Sequence, residues 1–305
     1  MIELRDVTKV FRSPLGRDVR AVEGFSFRVA RGEVLGIAGP NGAGKSTLID
    51  LLLGFLRPTS GAITIEGVPP REYVERRGVG YLSELVHIPP SWTLEGALVR
   101  YALLAGVPDA ELAPGVARAI ARLGLEEHRG KRVRHLSRGT LQRLGLAQAI
   151  VRDQALVIFD EPTNGLDPVW VHRFRALVRE LRAPDRTILI ASHDLVELER
   201  VADRVAIIDR GRLARVVEVG ARPGAAGSGG GVGRWRIELA DGGEQASAVF
   251  PGAEMLAGGV VEVDVPGVDA LNAGLAELIA RGARITALAP VHPSLERQFH
   301  EAVRE

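Results

Sequence analysis

Nine consecutive residues, Gly39-Pro40-Asn41-Gly42-Ala43-Gly44-Lys45-Ser46-Thr47, concentrate more chemistry than any other stretch of the sequence. They fit the pattern G-x-x-x-x-G-K-[ST], with Gly39, Gly44, Lys45 and Ser46 in the fixed places. Glycines lack a Cβ, so the backbone can turn tightly and come close to an anion. Successive N–H groups of such a loop then form a nest for phosphate oxygens. Lys45 is long enough to reach β- and γ-phosphates, and the Ser46 hydroxyl can ligate Mg²⁺. Glu33–Ala38 upstream reads as a buried strand and Thr47–Leu53 downstream as a helix. That order places the positive end of a helix at the loop.

Other residue types complement the loop. Asp160-Glu161 follows the apolar run Ala155–Phe159, so two carboxylates stand at the carboxyl end of a buried strand, where open α/β sheets bind ligands. There Asp160 can hold Mg²⁺ through water and Glu161 can take a proton from an attacking water. The alternative for the pair is a solvated turn. His193 stands just past a second apolar strand, Thr187–Ala191. A lone histidine is usually structural, but an imidazole at this edge could bond a γ-phosphate oxygen. Leu136-Ser137-Arg138-Gly139-Thr140 precedes the helical pattern Leu141–Ile150, a second helix start suited to an anion. Phe11 closes the first strand and is either a core aromatic or a platform for a purine ring; spacing alone favours the core.

Around these residues the elements alternate. Ile2–Val7 and Phe25–Val29 have the period-two pattern of half-buried strands, separated by a turn at Ser13–Gly16, so the chain opens with antiparallel strands. Ala62–Ile65, Val79–Leu82 and Arg204–Asp209 read as further strands, Pro162–Pro168 as a loop, and the residues after it to about Leu181 as a helix. From about 85 to 151 the pattern turns helical, with apolar residues at spacings of three and four in Thr93–Leu104 and Gly115–Leu123. This is a helical insert within an α/β domain. Residues 220–233 are a Gly-rich linker by composition. Beyond it Arg234–Leu239, Val260–Val265 and Arg284–Leu288 read as strands, with helices near Asp269–Ala280 and from Ser294. The expected domains are 1–219, the linker 220–233, and a small accessory α+β domain over 234–305. In that domain Leu271, Leu275, Leu278 and Ile279 should form one stripe, packed on Ile237, Val263 and Ile285.

The 305 residues are 46% hydrophobic and 25% charged, ordinary for a globular chain with room for two domains. Lys plus Arg number 39 against 38 Asp plus Glu, a balance that does not suggest a nucleic-acid partner. There is no cysteine, which excludes disulfides and thiolate chemistry. The N-terminus has no signal-peptide pattern, and no apolar run reaches the ~18 residues of a membrane span.

The loop at Gly39–Thr47, Leu136–Thr140, Leu156–Glu161 and Ser192-His193, in this order and spacing, resemble the nucleotide-binding subunits of ABC transporters over about Ile2 to Val219. The resemblance implies a P-loop NTPase cassette: a RecA-like core, an antiparallel β subdomain and the helical insert. It also implies ATP and Mg²⁺. By that likeness Phe11 stacks on adenine, against the reading from spacing. Glu84 takes the place, usually Gln, before the loop that meets the membrane subunit, and would ligate Mg²⁺ with Ser46 and Asp160. Ser137 and Gly139 match the signature that binds the γ-phosphate held by the opposite subunit, with Arg138 and Thr140 standing where Gly and Gln are commonest. Leu166-Asp167 match the loop along the dimer interface, Glu161 the catalytic base and His193 the switch histidine. The signature variant, Glu84 and the tail Pro293–Phe299 resemble the bacterial exporter branch.

The resemblance implies an ATPase at the cytoplasmic face of a membrane. It would pair with a second copy of the cassette and drive a polytopic membrane subunit, with no nucleic acid involved. The alternatives are a soluble ABC protein acting on ribosomes or DNA, and a non-catalytic regulatory binder. The first usually has two cassettes or a coiled-coil insertion, absent here, and the second does not need Lys45, Asp160 and Glu161 together.

Overall fold

The computed structural model describes residues 1–12, 16, 18–219, 233–241, 243–290 and 295–304. Most of the turn expected at Ser13–Gly16, the linker at 220–232, and Pro293-Ser294 lie outside the described residues. The chain divides into two compact units, Met1–Gly220 with Gln298–Glu305, and Ala221–Arg297.

The first unit opens with β1 (Ile2–Phe11) and β2 (Val19–Val29), followed by β3 (Val34–Ala38), α1 (Lys45–Leu52) and β4 (Ser60–Ile65). Next come α2 (Pro70–Arg77), β5 (Gly80–Leu82), α3 (Leu94–Leu104), α4 (Asp109–Arg122) and α5 (Arg138–Ala149). The unit continues with β6 (Leu156–Asp160), α6 (Pro168–Leu181), β7 (Thr187–Ser192), α7 (Leu195–Val201), β8 (Arg204–Asp209) and β9 (Arg212–Glu218). Every residue of β3, β6 and β7 is buried. Strands apolar on both faces pair in parallel beneath helices, and here the six-stranded order is β5-β6-β7-β3-β8-β9, parallel except for β9. The half-buried β1 and β2 form a separate antiparallel sheet with β4, in the order β2-β1-β4. Its inner face shares one core with α1 and the centre of the parallel sheet, from Ile2, Val7 and Phe25 through Ile49 and Leu52 to Ile37 and Leu189. β8 and β9 meet at Arg210-Gly211, both with positive φ (45° and 80°). That is the two-residue hairpin turn whose twist suits antiparallel strands.

The second unit holds β10 (Gly233–Asp241), α8 (Gly243–Val249), β11 (Glu254–Leu256), β12 (Val260–Val265), α9 (Val268–Ala280) and β13 (Arg284–Pro290). The sheet runs β11-β12-β10-β13, antiparallel throughout. Ile237, Val263, Leu271 and Leu278 are buried together, with Leu275 and Ile285 packed against them. Ile279 is a correction: it is 60% exposed rather than part of the stripe. At ~100° per residue it stands roughly 80° round the helix from Leu271, beyond the buried face. The closing helix α10 (Leu295–Arg304) is split by this division, since Gln298–Glu305 cluster with the first unit whereas the sequence assigns all of 234–305 to one domain. Among the described residues no helix is long and apolar enough to cross a membrane.

Candidate nucleotide site

Strand register gathers the chemistry at one edge. Ala38, the last residue of β3, lies beside Ser192 of β7 and Ile207 of β8. Asp160 lies beside Ala191, and Leu82 beside Phe159. The Gly39–Thr47 loop and the exits of β5, β6 and β7 therefore open on the same crevice, at the carboxyl ends of parallel strands.

The loop is shaped for close approach. Gly44 has φ 105° and a Cβ there would stand 2.3 Å from the Ala21 carbonyl oxygen, so only glycine fits. Gly44 is also the N-cap of α1 and supplies no side-chain cap. Among the described residues the amides of Gly42, Gly44, Lys45, Ser46 and Thr47 donate to no backbone or side-chain acceptor of the protein. These are the orphan donors of a helix start and a Gly-rich turn, aimed at an anion. The helix begins two residues earlier than the sequence pattern suggests, at Lys45. The β8–β9 turn braces the loop: Gly211 N–H donates to the Ala43 carbonyl at 2.9 Å.

Lys45 is buried, and its ammonium donates to the carbonyls of Gly39 (2.7 Å) and Pro40 (3.4 Å). It lies 3.8 Å from Glu161 Oε1. Glu161 is only 4% exposed and collects donors from the end of β7. His193 donates from its backbone N–H to Oε1 at 3.2 Å and from Nδ1 to Oε2 at 2.8 Å, which places the ring proton on Nδ1. The Ser192 hydroxyl donates to Oε2 at 3.3 Å. The His193 ring is 57% exposed, so its Nε2 side is open to a ligand.

Asp160 is 3% exposed, and its Oδ1 has no hydrogen-bond partner. Burial pushes its carboxyl up to about 6, aided by the charges of Glu84 and Glu161 and opposed by Lys45 and the Ser46 hydroxyl. A buried, unpaired carboxylate oxygen beside a hydroxyl fits a hard cation. No group of three or more His, Asp or Glu side chains among the described residues is close enough to form a metal cage of its own. That suits Mg²⁺, which keeps waters and phosphate oxygens as most of its ligands. Glu84 is exposed and reaches Asp160 through its field.

Phe11 is 41% exposed, which overturns its reading as a core aromatic and leaves the ring face available. It sits opposite the exposed Val19 in the β1–β2 register, with the Lys9 ammonium 5.3 Å from its centroid. Ser137 caps α5, accepting the Thr140 amide at 3.2 Å. Arg138 lies along the next loop, since a Cβ at Gly165 would come within 2.9 Å of its Nε. Gly139 approaches the same loop: a Cβ there would stand 3.0 Å from the Gly165 carbonyl oxygen. Thr140 is buried. No hydrogen bond or ion pair among the described residues joins this helix start to the Gly39–Thr47 loop, so the chain brings Lys45, Asp160, Glu161 and His193 together and leaves Ser137–Thr140 apart.

Sequence reading missed two buried polar residues. Gln142 donates to the carbonyls of Glu161 (3.2 Å) and Pro162 (3.1 Å), tying α5 to the carboxylate pair. Arg143 donates to Leu123 and Gly124 carbonyls and to Thr140 Oγ1. The signal for both was a Gln-Arg pair between apolar neighbours at i+3 from Gly139 and Thr140.

Residues 22–164 match the family model described as ABC transporter. The chain is 37% identical over 214 residues to Nod factor export ATP-binding protein I of Burkholderia lata, covering 69% of this chain and 68% of that protein. It is 37% identical over 212 residues to an uncharacterized ABC transporter ATP-binding protein of Nostoc sp., covering 68% of this chain but 63% of the relative. Against Nod factor export ATP-binding protein I of Rhizobium etli, the chain spans 66% of the relative's length. A solved ATP-binding subunit of an ABC transporter superposes with a TM-score of 0.65 at 30% identity, covering 72% of this chain and 90% of that one. A dimeric ATP-binding cassette in a post-hydrolysis state with ADP and Pi has the same fold, with a TM-score of 0.67 at 20% identity over 73% of this chain and all of that one.

Proposed function

Because the chain belongs to the ABC transporter family of ATP-binding proteins, we propose that it hydrolyses ATP to drive a membrane-spanning export partner. The observation that carries this reading is the gathering of Lys45, Asp160, Glu161 and His193 at one crevice beside unpaired loop amides. The amides of the Gly39–Thr47 loop bind the phosphate chain, and Lys45 turns from the Gly39 and Pro40 carbonyls to its terminal oxygens. Glu161, held as an acceptor by His193 and Ser192, takes the proton of the attacking water, while His193 steadies the γ-phosphate. Ser46, Glu84 and Asp160 would hold Mg²⁺, which when bound neutralises phosphate charge. Phosphoryl transfer needs little covalent help, so positioning and charge stabilisation provide the catalysis.

Ser137–Thr140 stand apart from this crevice within one chain, which supports a head-to-tail pair of cassettes. Each helix start then completes the partner copy's site, with Leu166-Asp167 along the seam. The exposed Leu85, Leu103 and Leu104 of the insert suit contact with the membrane partner at the cytoplasmic face. Relatives named for Nod factor export favour the export direction. Among the described residues, no site-forming group comes from the second unit, so its role is accessory, steadying the dimer or meeting the partner.

Glu161→Gln tests the reading. ATP binding should persist, turnover should fall ~10²–10⁴-fold, the usual weight of a general base, and an ATP-bound dimer should accumulate. Hydrolysis near the wild-type rate removes Glu161 from the role.

A further inference from the structure

The start of α5 carries a chain of polar contacts that capping alone does not require. Thr140 is buried, and its Oγ1 lies 2.8 Å from Ser137 Oγ and 3.2 Å from Arg143 Nη2. Arg143 is buried too, with Nη1 donating to the carbonyls of Leu123 at 3.1 Å and Gly124 at 2.9 Å. Its guanidinium carbon stands 4.1 Å from the centre of the Trp170 ring, and Arg173 stands 4.6 Å from that ring. Trp170 lies in the first turn of α6, where its amide donates to the N-cap Asp167 at 3.0 Å. The guanidinium is therefore held on three sides.

A guanidinium donates and never accepts. Thr140 Oγ1 is thus an acceptor toward Arg143, and its own proton needs a partner. Among the described residues the Thr140 hydroxyl meets no other acceptor than Ser137 Oγ, and a buried hydroxyl without an acceptor is costly. The proton therefore goes to Ser137. Ser137 Oγ also accepts the Thr140 amide at 3.2 Å. With both its lone pairs engaged, the exposed Ser137 hydroxyl has only its own proton to offer outward. We infer that Thr140 and Arg143 are positioning residues that set Ser137 as a donor toward the phosphate of an ATP held by a second copy of this chain. Glutamine, commonest at the place of Thr140, has no hydroxyl to relay the polarity. The inference rests on the proposed head-to-tail dimer and adds what orients its serine.

The test uses the full chain with Glu161→Gln to retain ATP. Sedimentation gives the ATP concentration for half-maximal dimer, and a fluorescent ATP analogue at dilute protein gives the affinity of the monomer. Thr140→Val, of similar shape but without the hydroxyl, should raise the ATP needed for dimerisation ~3–10-fold, the weight of the neutral hydroxyl–hydroxyl bond that orients Ser137. Monomer affinity should stay within about twofold, and Thr140→Ser should restore dimerisation. If the valine variant does not fold, Thr140→Ala against Thr140→Ser makes the same comparison. An ATP-dependent dimer equally favourable without the hydroxyl overturns the relay alone. Equal loss in the Ser and Val variants also overturns it, because shape rather than the hydroxyl would then matter. Absence of any ATP-dependent dimer in the parent chain overturns the dimer reading and the relay with it.

Discussion

Asp160→Asn should make the nucleotide-free protein more stable while removing its Mg²⁺-dependent turnover. The carboxyl is 3% exposed, has an unpartnered oxygen, and is pushed by burial from its ordinary 3.8 up to about 6. Between those two values the folded chain holds the proton more tightly than the unfolded chain, so stability falls as pH rises through that window. Below about 3.8 the side chain has no effect, and above about 6 the whole penalty is present. A rise of about two pH units, at 1.36 kcal/mol each, amounts to ~3 kcal/mol at pH 7–8. For a folding unit of this size that is roughly 6–12 °C in Tm. Asparagine carries no charge at any pH. The stability of the variant minus that of wild type should therefore be ~3 kcal/mol at pH 8 and roughly half of that at pH 5. Groups such as Glu3, drawn down to about 2 by hydrogen bonds from Arg5 and Arg28, titrate alike in both proteins and cancel in the difference. The assay is urea or thermal unfolding from pH 5 to 8 in chelator without nucleotide, repeated with Mg²⁺ and ATP. Added Mg²⁺ and ATP should stabilise wild type more than the variant, which keeps Lys45 and the loop amides but lacks the carboxylate for Mg²⁺. A variant no more stable than wild type at pH 8, or a difference independent of pH, would refute the reasoning.

Two further substitutions separate the ends of the nucleotide. Lys45→Ala removes a buried ammonium that now rests on the Gly39 and Pro40 carbonyls. ATP affinity by titration calorimetry should fall ~10–100-fold, as expected for a charge-assisted bond; unchanged affinity would take Lys45 out of the site. Phe11→Ala removes a ring that is 41% exposed and outside the buried core, so the fold should persist. ATP affinity should fall ~5–100-fold from lost stacking while tripolyphosphate affinity holds. A parallel loss of both would mean that the ring supports the loop rather than the base.

The buried strands were legible because β3, β6 and β7 are apolar without interruption, and β1 and β2 because they alternate. The elements that went unread lack a stripe. α2 buries only Tyr73, and all three residues of β11 are exposed. In α8 the central buried residue is Ala246, too small to mark a face. Of the site, residues whose type dictates their chemistry were readable: Lys45, Ser46, Asp160 and Glu161. The contacts holding them were not, because Gln142 reaches the Glu161 carbonyl from another helix and Arg143 reaches carbonyls beyond the end of α4. No local pattern encodes those pairings.

Glu161 was readable by type, but not the conformation in which it is held. Its φ of 48° lies in the left-handed region, which costs a non-glycine residue about 1–3 kcal/mol and persists only where the surroundings over-determine it. Here they do. Its amide donates to the Ala191 carbonyl at 2.9 Å, and its carbonyl accepts from Gln142 Nε2 and from the Asn164 amide, both at 3.2 Å. Its carboxylate is held by Ser192 and His193. The holding groups come from β7 and its exit, α5 and the loop after β6, so the strain at one residue is maintained by segments distant in sequence. Glycine would relieve the backbone but leave His193 without its acceptor and Lys45 without its neighbouring carboxylate. A carboxylate kept in this conformation, 3.8 Å from Lys45, is what the proposed hydrolysis requires, and the local geometry of the chain alone does not account for it.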